Sequence, residues 1–244
     1  MLGSVLDLFF PPRCAGCSQG DWPFCATCSE ALAPIDEPMC RRCGRPTDEP
    51  LCYCLDCPPP PIAVARAPFL FRGPVRSAIH KLKFSGWRRV ADALGAAMAA
   101  VNVFRPDAIT WVPLARLRLA ERGYDQARAL ALVVGVHLDR PVQPFLRRND
   151  VVGTQTRRSG VDRRLAMQGV FRSAGRAPPQ RVLLVDDVLT TGSTAAACAR
   201  ILRDEGAKEI GLLVAARAIS GAVPARYTRS GSRLGLWLPG ERPR

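Results

Sequence analysis

Four Cys-x-x-Cys pairs within the first 57 residues constrain this chain more than any other feature. Two thiolates separated by two residues can bind one metal ion from a tight turn, and two such pairs complete a tetrahedron. Seven residues separate the first pair from the second and ten separate the third from the fourth, enough for a short hairpin in each case. The spacing predicts two structural zinc sites, formed by Cys14, Cys17, Cys25 and Cys28 and by Cys40, Cys43, Cys54 and Cys57.

A disulfide framework is the alternative interpretation of these cysteines. It requires an oxidising compartment, whereas the stretch MLGSVLDLFFPP lacks the basic flank and cleavage site of a secretory signal and favours a short amphipathic helix. Cys52 also leaves an odd number of cysteines in this segment, and whether it replaces one of the ligands stays open. We therefore expect residues 1–57 to form a double zinc ribbon in a cytoplasmic protein.

The sequence changes character after the last cysteine pair. The stretch PPPPI begins at residue 58 and predicts a stiff proline-rich linker over 58–61. Residues 1–60 carry four arginines and eight acidic residues, whereas residues 61–244 carry 31 basic and 13 acidic residues, a net charge of +18. That charge suits an anionic ligand such as phosphate, pyrophosphate or nucleic acid, although a compositional bias towards arginine would also produce it. No apolar run reaches the 18 residues expected of a membrane span.

Residues 62–218 alternate apolar, strand-like runs with alanine-rich helical patterns. Strands are predicted over 108–114, 181–188 and 209–218, and helices over 121–138 and 193–207. Such alternation predicts an α/β fold with a mainly parallel sheet flanked by helices. The last segment, 219–244, is rich in Gly, Pro and Arg and is expected to be an irregular or disordered basic tail.

The stretch VLLVDDVLTTGST, residues 182–194, combines features of a ligand site. Parallel sheets bind ligands at the carboxyl ends of their strands, where Asp186 and Asp187 stand. The small-residue loop that follows leads into a helix N-terminus, which favours an anion such as phosphate. A phosphate would repel the two acids unless they face hydroxyl groups or a divalent cation. A sugar phosphate offers its phosphate to the loop and its vicinal hydroxyls to the two acids.

This stretch resembles the phosphoribosyl pyrophosphate (PRPP) binding motif of type I phosphoribosyltransferases. Together with the cysteine pairs, it makes the chain similar to the ComF family, competence protein F-like phosphoribosyltransferases with a double zinc ribbon. Further matching segments are CRRCGRP (40–46), IHKLKFSG (79–86), VPLARLRLAERGYDQA (112–127) and TQTRRSGVDRR (154–164). The resemblance extends over roughly residues 10–218 and implies a type I phosphoribosyltransferase fold preceded by a small zinc-ribbon domain.

The resemblance also implies roles for individual residues. Asp186 and Asp187 would hold the ribose hydroxyls of PRPP, directly or through Mg²⁺, and would stabilise a cationic ribose ring. The residues that would cradle the 5-phosphate are Thr190, Thr191, Gly192, Ser193 and Thr194. The residues that would bind pyrophosphate are Arg116, Arg118 and Arg122.

The resemblance further implies that 147–164 is a mobile flap over the substrates. Three features depart from the family pattern. Asp125 and Ala166 stand where the family usually has asparagine, and the tail extends beyond the usual end. A carboxylate at position 125 is expected to make its loop less favourable for pyrophosphate unless Mg²⁺ intervenes.

Three functions remain open on this sequence. The first is a Mg²⁺-dependent phosphoribosyltransferase that transfers phosphoribosyl from PRPP to an unidentified nucleobase or amine and releases pyrophosphate. The second is a factor that handles single-stranded DNA during uptake, for which PRPP is a regulator or remnant substrate. The third is a PRPP sensor without catalysis. The sequence leaves the oligomeric state open.

Overall fold

The computed structural model describes residues 13–149 and 169–227, and a five-stranded parallel sheet lies at its centre. That sheet contains β1 (Ile62–Arg66), β2 (Phe69–Leu70), β3 (Ala108–Trp111), β6 (Arg181–Leu189) and β7 (Glu209–Arg217). A separate antiparallel pair contains β4 (Leu146–Arg148) and β5 (Phe171–Ser173). The helices of the described ranges are α1 (Ala26–Glu30), α2 (Gly73–Phe84), α3 (Val90–Ala100), α4 (Arg116–Arg122), α5 (Gln126–Leu138) and α6 (Ser193–Asp204), and a 3₁₀ turn covers Ala225–Tyr227.

The order of the strands is β1–β7–β6–β3, with β2 pairing with β7 just beyond β1. Each of these pairings is parallel, so the carboxyl ends of the strands meet at one edge of the sheet. The prediction of a mainly parallel sheet flanked by helices is confirmed.

Helices cover both faces of the sheet, which explains the nearly continuous apolar runs of the central strands. Along β6, Val182 and Leu184 belong to the core under α6. Leu183 and Val185 belong to the core formed with α2, α3 and α5. The alternation follows from the two-residue period of a β-strand.

The helix predicted over 121–138 is divided in two. Gly123 ends α4 in the left-handed region, with φ of 71°. The side chain of Asp125 then caps α5 by accepting hydrogen bonds from the backbone N–H groups of Ala127 and Arg128. A glycine stop and an aspartate start therefore lie inside what the apolar periodicity predicted as one helix.

Several predictions concern residues outside the described ranges. These are the N-terminal helix, the flap beyond residue 149, the substitution at Ala166, and the tail beyond residue 227. The described start of the tail packs on the ribbon, because Tyr227 is buried and Arg226 donates to the carbonyl oxygens of Pro38 and Thr47. Within the ranges that the structure describes, no helix is long and apolar enough to cross a membrane.

The ribbon segment packs directly on the α/β domain. The backbone N–H of Leu70 in β2 donates to the carbonyl oxygen of Ala33 at 2.9 Å. The N–H of Ala65 in β1 donates to the carbonyl oxygen of Arg42 at 2.8 Å. These bonds place the ribbon along one side of the sheet, close to the carboxyl ends of its strands.

The crossing of α3 and α5 depends on a glycine. A Cβ atom at Gly95 would lie 2.7 Å from both Cβ and Cγ1 of Val133. We expect Gly95→Ala to destabilise the protein by about 1 kcal/mol or more, since overpacking outweighs the gain of helix propensity. Urea unfolding measures the change, and Ala96→Gly on the same helix calibrates the propensity contribution. A higher unfolding midpoint for Gly95→Ala would contradict the close approach of the two helices.

Candidate phosphate and metal sites

The structure brings the eight paired cysteines into two groups, each with its sulfur atoms within 4.8 Å of one another. The first cluster contains Cys14, Cys17, Cys25 and Cys28, and the second cluster contains Cys40, Cys43, Cys54 and Cys57. The Sγ–Sγ distance is 3.7 Å for Cys17 and Cys25 and 3.7 Å for Cys40 and Cys57. A tetrahedron with Zn–S distances of about 2.3 Å has edges of about 3.8 Å, so both clusters fit one zinc ion each. Cys52 is exposed and belongs to neither group.

The adjacent acids at the end of β6 face opposite sides of the sheet. Asp186 points to the α6 side, where it lines a cavity of about 50 Å³ with Thr190, Gly192, Ser193 and Thr194. Asp187 points to the side of α2 and α5 and is 6% exposed. The two carboxylates therefore have different surroundings although they are neighbours in the chain.

Burial raises the pKa of Asp186 well above its usual range, and the negative charge of Asp187 raises it further. Its Oδ1 accepts a hydrogen bond of 2.8 Å from the backbone N–H of Asp187, which partly offsets both effects. A nearby cation or hydroxyl donor would stabilise the charged form of this carboxylate.

Asp187 lies at the centre of a network that the sequence reasoning missed. Lys83 at the end of α2 donates to its Oδ1 at 2.6 Å, and Gln126 at the start of α5 donates to its Oδ2 at 3.1 Å. The Oε1 atom of Gln126 accepts a hydrogen bond of 3.0 Å from Arg122. Lys83 and Gln126 fall in segments that match the ComF pattern, and that match is the signal that could have identified them.

A cavity of about 430 Å³ opens beside this network. Its lining residues are Lys83, Phe84, Gly86, Arg118, Glu121 and Arg122. The Arg122 guanidinium lies 4.7 Å from the centroid of the Phe84 ring. Three cationic side chains and one carboxylate give the lining an excess positive charge that suits an anion. Arg116, the third predicted arginine, begins α4 and does not line this cavity in the described structure.

The hydroxyl-rich loop lies on the other side of the strand end. Gly192 adopts φ of 76° at the N-terminus of α6, and the hydroxyls of Thr191 and Ser193 lie 2.9 Å apart. The N-cap residue Gly192 offers no side chain to this helix end, and Thr191 Oγ1 accepts a long hydrogen bond of 3.4 Å from the backbone N–H of Ser193. The first N–H groups of an α-helix lack intrahelical acceptors, so the loop offers donors to a phosphate.

Asp125 does not line the cationic cavity within the described structure. Its Oδ1 accepts the two capping bonds of α5, and its Oδ2 accepts a hydrogen bond of 3.1 Å from the backbone N–H of Leu114. The start of α5 therefore engages Oδ1, and Leu114, in the segment predicted to receive pyrophosphate, engages Oδ2. The expected effect of this carboxylate on pyrophosphate binding stays a prediction. Asparagine, the residue of the family pattern, offers one carbonyl oxygen for the same cap.

Comparisons with known proteins support both the cysteine-rich segment and the α/β domain. Residues 5–58 match a family described as a double zinc ribbon domain, and residues 119–233 match a phosphoribosyl transferase domain. The DNA utilization protein YhgH of Escherichia coli O6:H1 is 32% identical over 206 residues, which cover 78% of this chain and 88% of the relative.

Two relatives carry competence names. Competence protein F of Haemophilus influenzae is 39% identical over 117 residues, which cover 46% of this chain and 51% of the relative. Competence protein ComFC of Streptococcus pneumoniae is 23% identical over 191 residues, which cover 76% of this chain and 84% of the relative.

The buried cap at Asp125 predicts a pH-dependent stability. Burial raises the pKa of Asp125 above its usual range, so the folded state binds a proton more tightly than the unfolded state. This group therefore favours folding less as pH rises above about 4, its unfolded pKa. Asp125→Asn does not titrate and leaves the Leu114 N–H without its acceptor, so we expect its stability relative to the wild type to be lowest near pH 4 and to increase towards pH 7.

Thermal unfolding between pH 4 and pH 8 measures this difference. Asp125→Ala is the comparison variant and should be about 1–2 kcal/mol less stable than Asp125→Asn at every pH, since it removes the cap altogether and neither variant titrates at this position. A pH-independent difference between Asp125→Asn and the wild type would contradict the assignment.

Proposed function

Given that this chain belongs to the ComF family, in which a double zinc ribbon precedes a phosphoribosyltransferase domain, we propose that it binds PRPP with Mg²⁺ and transfers phosphoribosyl to a nitrogen acceptor. One observation carries the proposal. A hydroxyl-rich helix N-terminus and a cationic cavity lie on either side of two carboxylates at the same strand end. PRPP has a phosphate at one end, a pyrophosphate at the other, and ribose hydroxyls between them.

Each part of the site corresponds to one part of PRPP in this proposal. The loop from Thr190 to Thr194 holds the 5-phosphate, and Asp186 and Asp187 hold the ribose hydroxyls. The cavity beside Asp187 receives the pyrophosphate, where Lys83, Arg118 and Arg122 supply positive charge. Arg116, outside the cavity lining, has no assigned contact with PRPP in this arrangement.

The reaction is a substitution at the anomeric carbon. The acceptor nitrogen forms a bond to this carbon as the bond to the pyrophosphate oxygen breaks, and the nitrogen releases its proton. Positive charge develops on the ribose ring, where Asp187 stabilises it from a fixed position. Asp186 and Asp187 would hold Mg²⁺ through carboxylate oxygens, and the ion would supply positive charge to the leaving pyrophosphate. Gln126 fixes the position of Asp187 relative to Arg122, since it forms hydrogen bonds with both side chains.

We further propose that both cysteine clusters hold structural zinc, because four sulfur ligands leave no open coordination position. In this arrangement residues 1–57 form the ribbon unit, 58–61 the linker and 62–218 the transferase unit. Clusters of cysteines that hold zinc rather than form disulfides favour a reducing compartment, and we infer a cytoplasmic location from them.

Calorimetry with Mg²⁺–PRPP tests the proposed function. We expect Asp187→Asn to lower the affinity by about 10- to 100-fold, since a hydrogen bond to a charged group contributes about 1.5–3 kcal/mol. Asp204→Asn, an exposed aspartate at the end of α6, is the matched control and should bind as the wild type does. Failure of the wild type to bind Mg²⁺–PRPP would contradict the proposal.

Pyrophosphate release then separates an enzyme from a sensor. Release that depends on an added nucleobase or amine supports catalysis. Binding without release for every acceptor tried would support a PRPP sensor instead.

A second function, binding of single-stranded DNA, is favoured by a groove on the outer side of α2. This cavity of about 440 Å³ is lined by Arg76, Ser77, His80 and Phe84, together with residues of the first cluster segment. Phe84 is 64% exposed and also lines the cationic cavity, so the two cavities adjoin at an aromatic ring. Exposed rings flanked by cations bind unpaired bases, and one relative is named a DNA utilization protein.

Fluorescence anisotropy with a labelled oligonucleotide tests this second function. We expect Arg76→Ala to weaken DNA binding and to reduce the salt slope by about 0.7, the value for one lost phosphate contact with a single strand. Binding of Mg²⁺–PRPP should not change, because Arg76 does not line the cavity beside Asp187 in the described structure. An unchanged DNA affinity and salt slope would count against this groove.

A further inference from the structure

A buried arginine connects the sheet to both halves of the second cluster. Arg217 ends β7, and it is only 2% exposed. Its Nη1 donates to the carbonyl oxygen of Cys43 and its Nη2 to that of Asp56, each at 2.8 Å. Cys43 belongs to one cysteine pair of the second cluster, and Asp56 lies within the other. The guanidinium therefore bridges the two cysteine-bearing turns of the second cluster.

The backbone of the same residue adjoins the phosphate loop. Arg217 pairs with Leu189 in the ladder between β6 and β7. The N–H of the following residue, Ala218, donates to the carbonyl oxygen of Leu189 at 2.9 Å. Leu189 is the last residue before Thr190, so the loop begins at the point where Arg217 is anchored.

A second contact reaches the loop from the cluster itself. Pro58 directly follows the cluster residue Cys57 and is buried against Gly192. A Cβ atom at Gly192 would lie 2.7 Å from the Cβ of Pro58. Arg42 holds this turn by donating to the carbonyl oxygens of Ile62 at 3.0 Å and Pro58 at 3.4 Å. The proline thus forms one wall of the loop.

The first cluster offers an internal comparison, because it lies against α2 instead. There Lys81 donates to the carbonyl oxygens of Ala15 and Gly16, each at 2.9 Å. Both clusters are therefore fastened by a cationic side chain that binds backbone carbonyls. The second cluster also contacts the phosphate loop.

We propose that the second cluster is part of the phosphate site, and that Arg217 and Pro58 transmit its fold to the loop Thr190–Thr194. Arg217 is a positioning residue here, since it acts through the loop rather than on the ligand. The inference rests on the proposed function, in which this loop holds the 5-phosphate. A loop fixed before binding loses less conformational entropy when the ligand arrives, so its affinity depends on the folded cluster.

Ribose 5-phosphate is the probe, because it carries the 5-phosphate without the pyrophosphate. We expect Arg217→Met to weaken its binding about tenfold, the loss expected when a preorganised loop must be ordered on binding. Arg217→Lys, which keeps a donor, should lose less. Binding of Mg²⁺–pyrophosphate to the cavity beside Asp187 should not change. Lys81→Met is the matched control and should bind ribose 5-phosphate as the wild type does.

Cysteine variants test the same inference through the clusters. Cys57→Ser and Cys17→Ser should each lower the zinc content by about one ion per chain, measured by metal analysis. Only Cys57→Ser should weaken the binding of ribose 5-phosphate.

Equal affinity of Arg217→Met and the wild type, or an equal loss in both cysteine variants, would overturn the inference. Failure of the wild type itself to bind ribose 5-phosphate would overturn the proposed function and this inference with it. The two failures are therefore distinguishable.

Discussion

Alternation of side chains along β6 is the constraint on which the rest of this site depends. Neighbouring residues of a strand point to opposite faces. Asp186 therefore points to the α6 side and Asp187 to the side of α2 and α5. The two faces carry different chemistry, a hydroxyl-rich helix N-terminus on one and a cationic cavity on the other. The two adjacent acids therefore belong to different sides of the site and do not act together as one doubly charged group.

The ion pair between Lys83 and Asp187 organises the cationic side. The Asp187 side chain is 8% exposed and that of Lys83 22%, so each charge is largely removed from water and needs its partner. Gln126 holds the second oxygen of Asp187 and also binds Arg122. Gln126 therefore lies between the acid and Arg122, and both Arg122 and Lys83 line the cationic cavity.

The ribbon contacts the α/β domain near the carboxyl ends of the strands, at the edge of the sheet that also carries the two acids. Apart from cysteines, the buried hydrophobic residues among the described residues 13–57 are Ala15, Ala33 and Ile35, so this segment has little core of its own. Structural metal sites commonly supply the missing folding energy. Here the second cluster also meets the carboxyl end of β7 through Arg217 and the phosphate loop through Pro58. The contact surface between the ribbon and the α/β domain therefore adjoins the proposed binding site.

The sequence alone determined the features that depend on near neighbours in the chain. Cysteine spacing, the strand–loop–helix motif and the α/β alternation are local, and they predicted the clusters, the loop and the parallel sheet. The break at Asp125 was also a local signal, but helical periodicity masked it. Only the tertiary structure decided the partners of the site, since Lys83 and Gln126 lie 104 and 61 residues from Asp187, and Arg217 lies 174 residues from Cys43. Such pairs form because packing of the helices and strands brings distant segments together, and no short-range pattern encodes that approach.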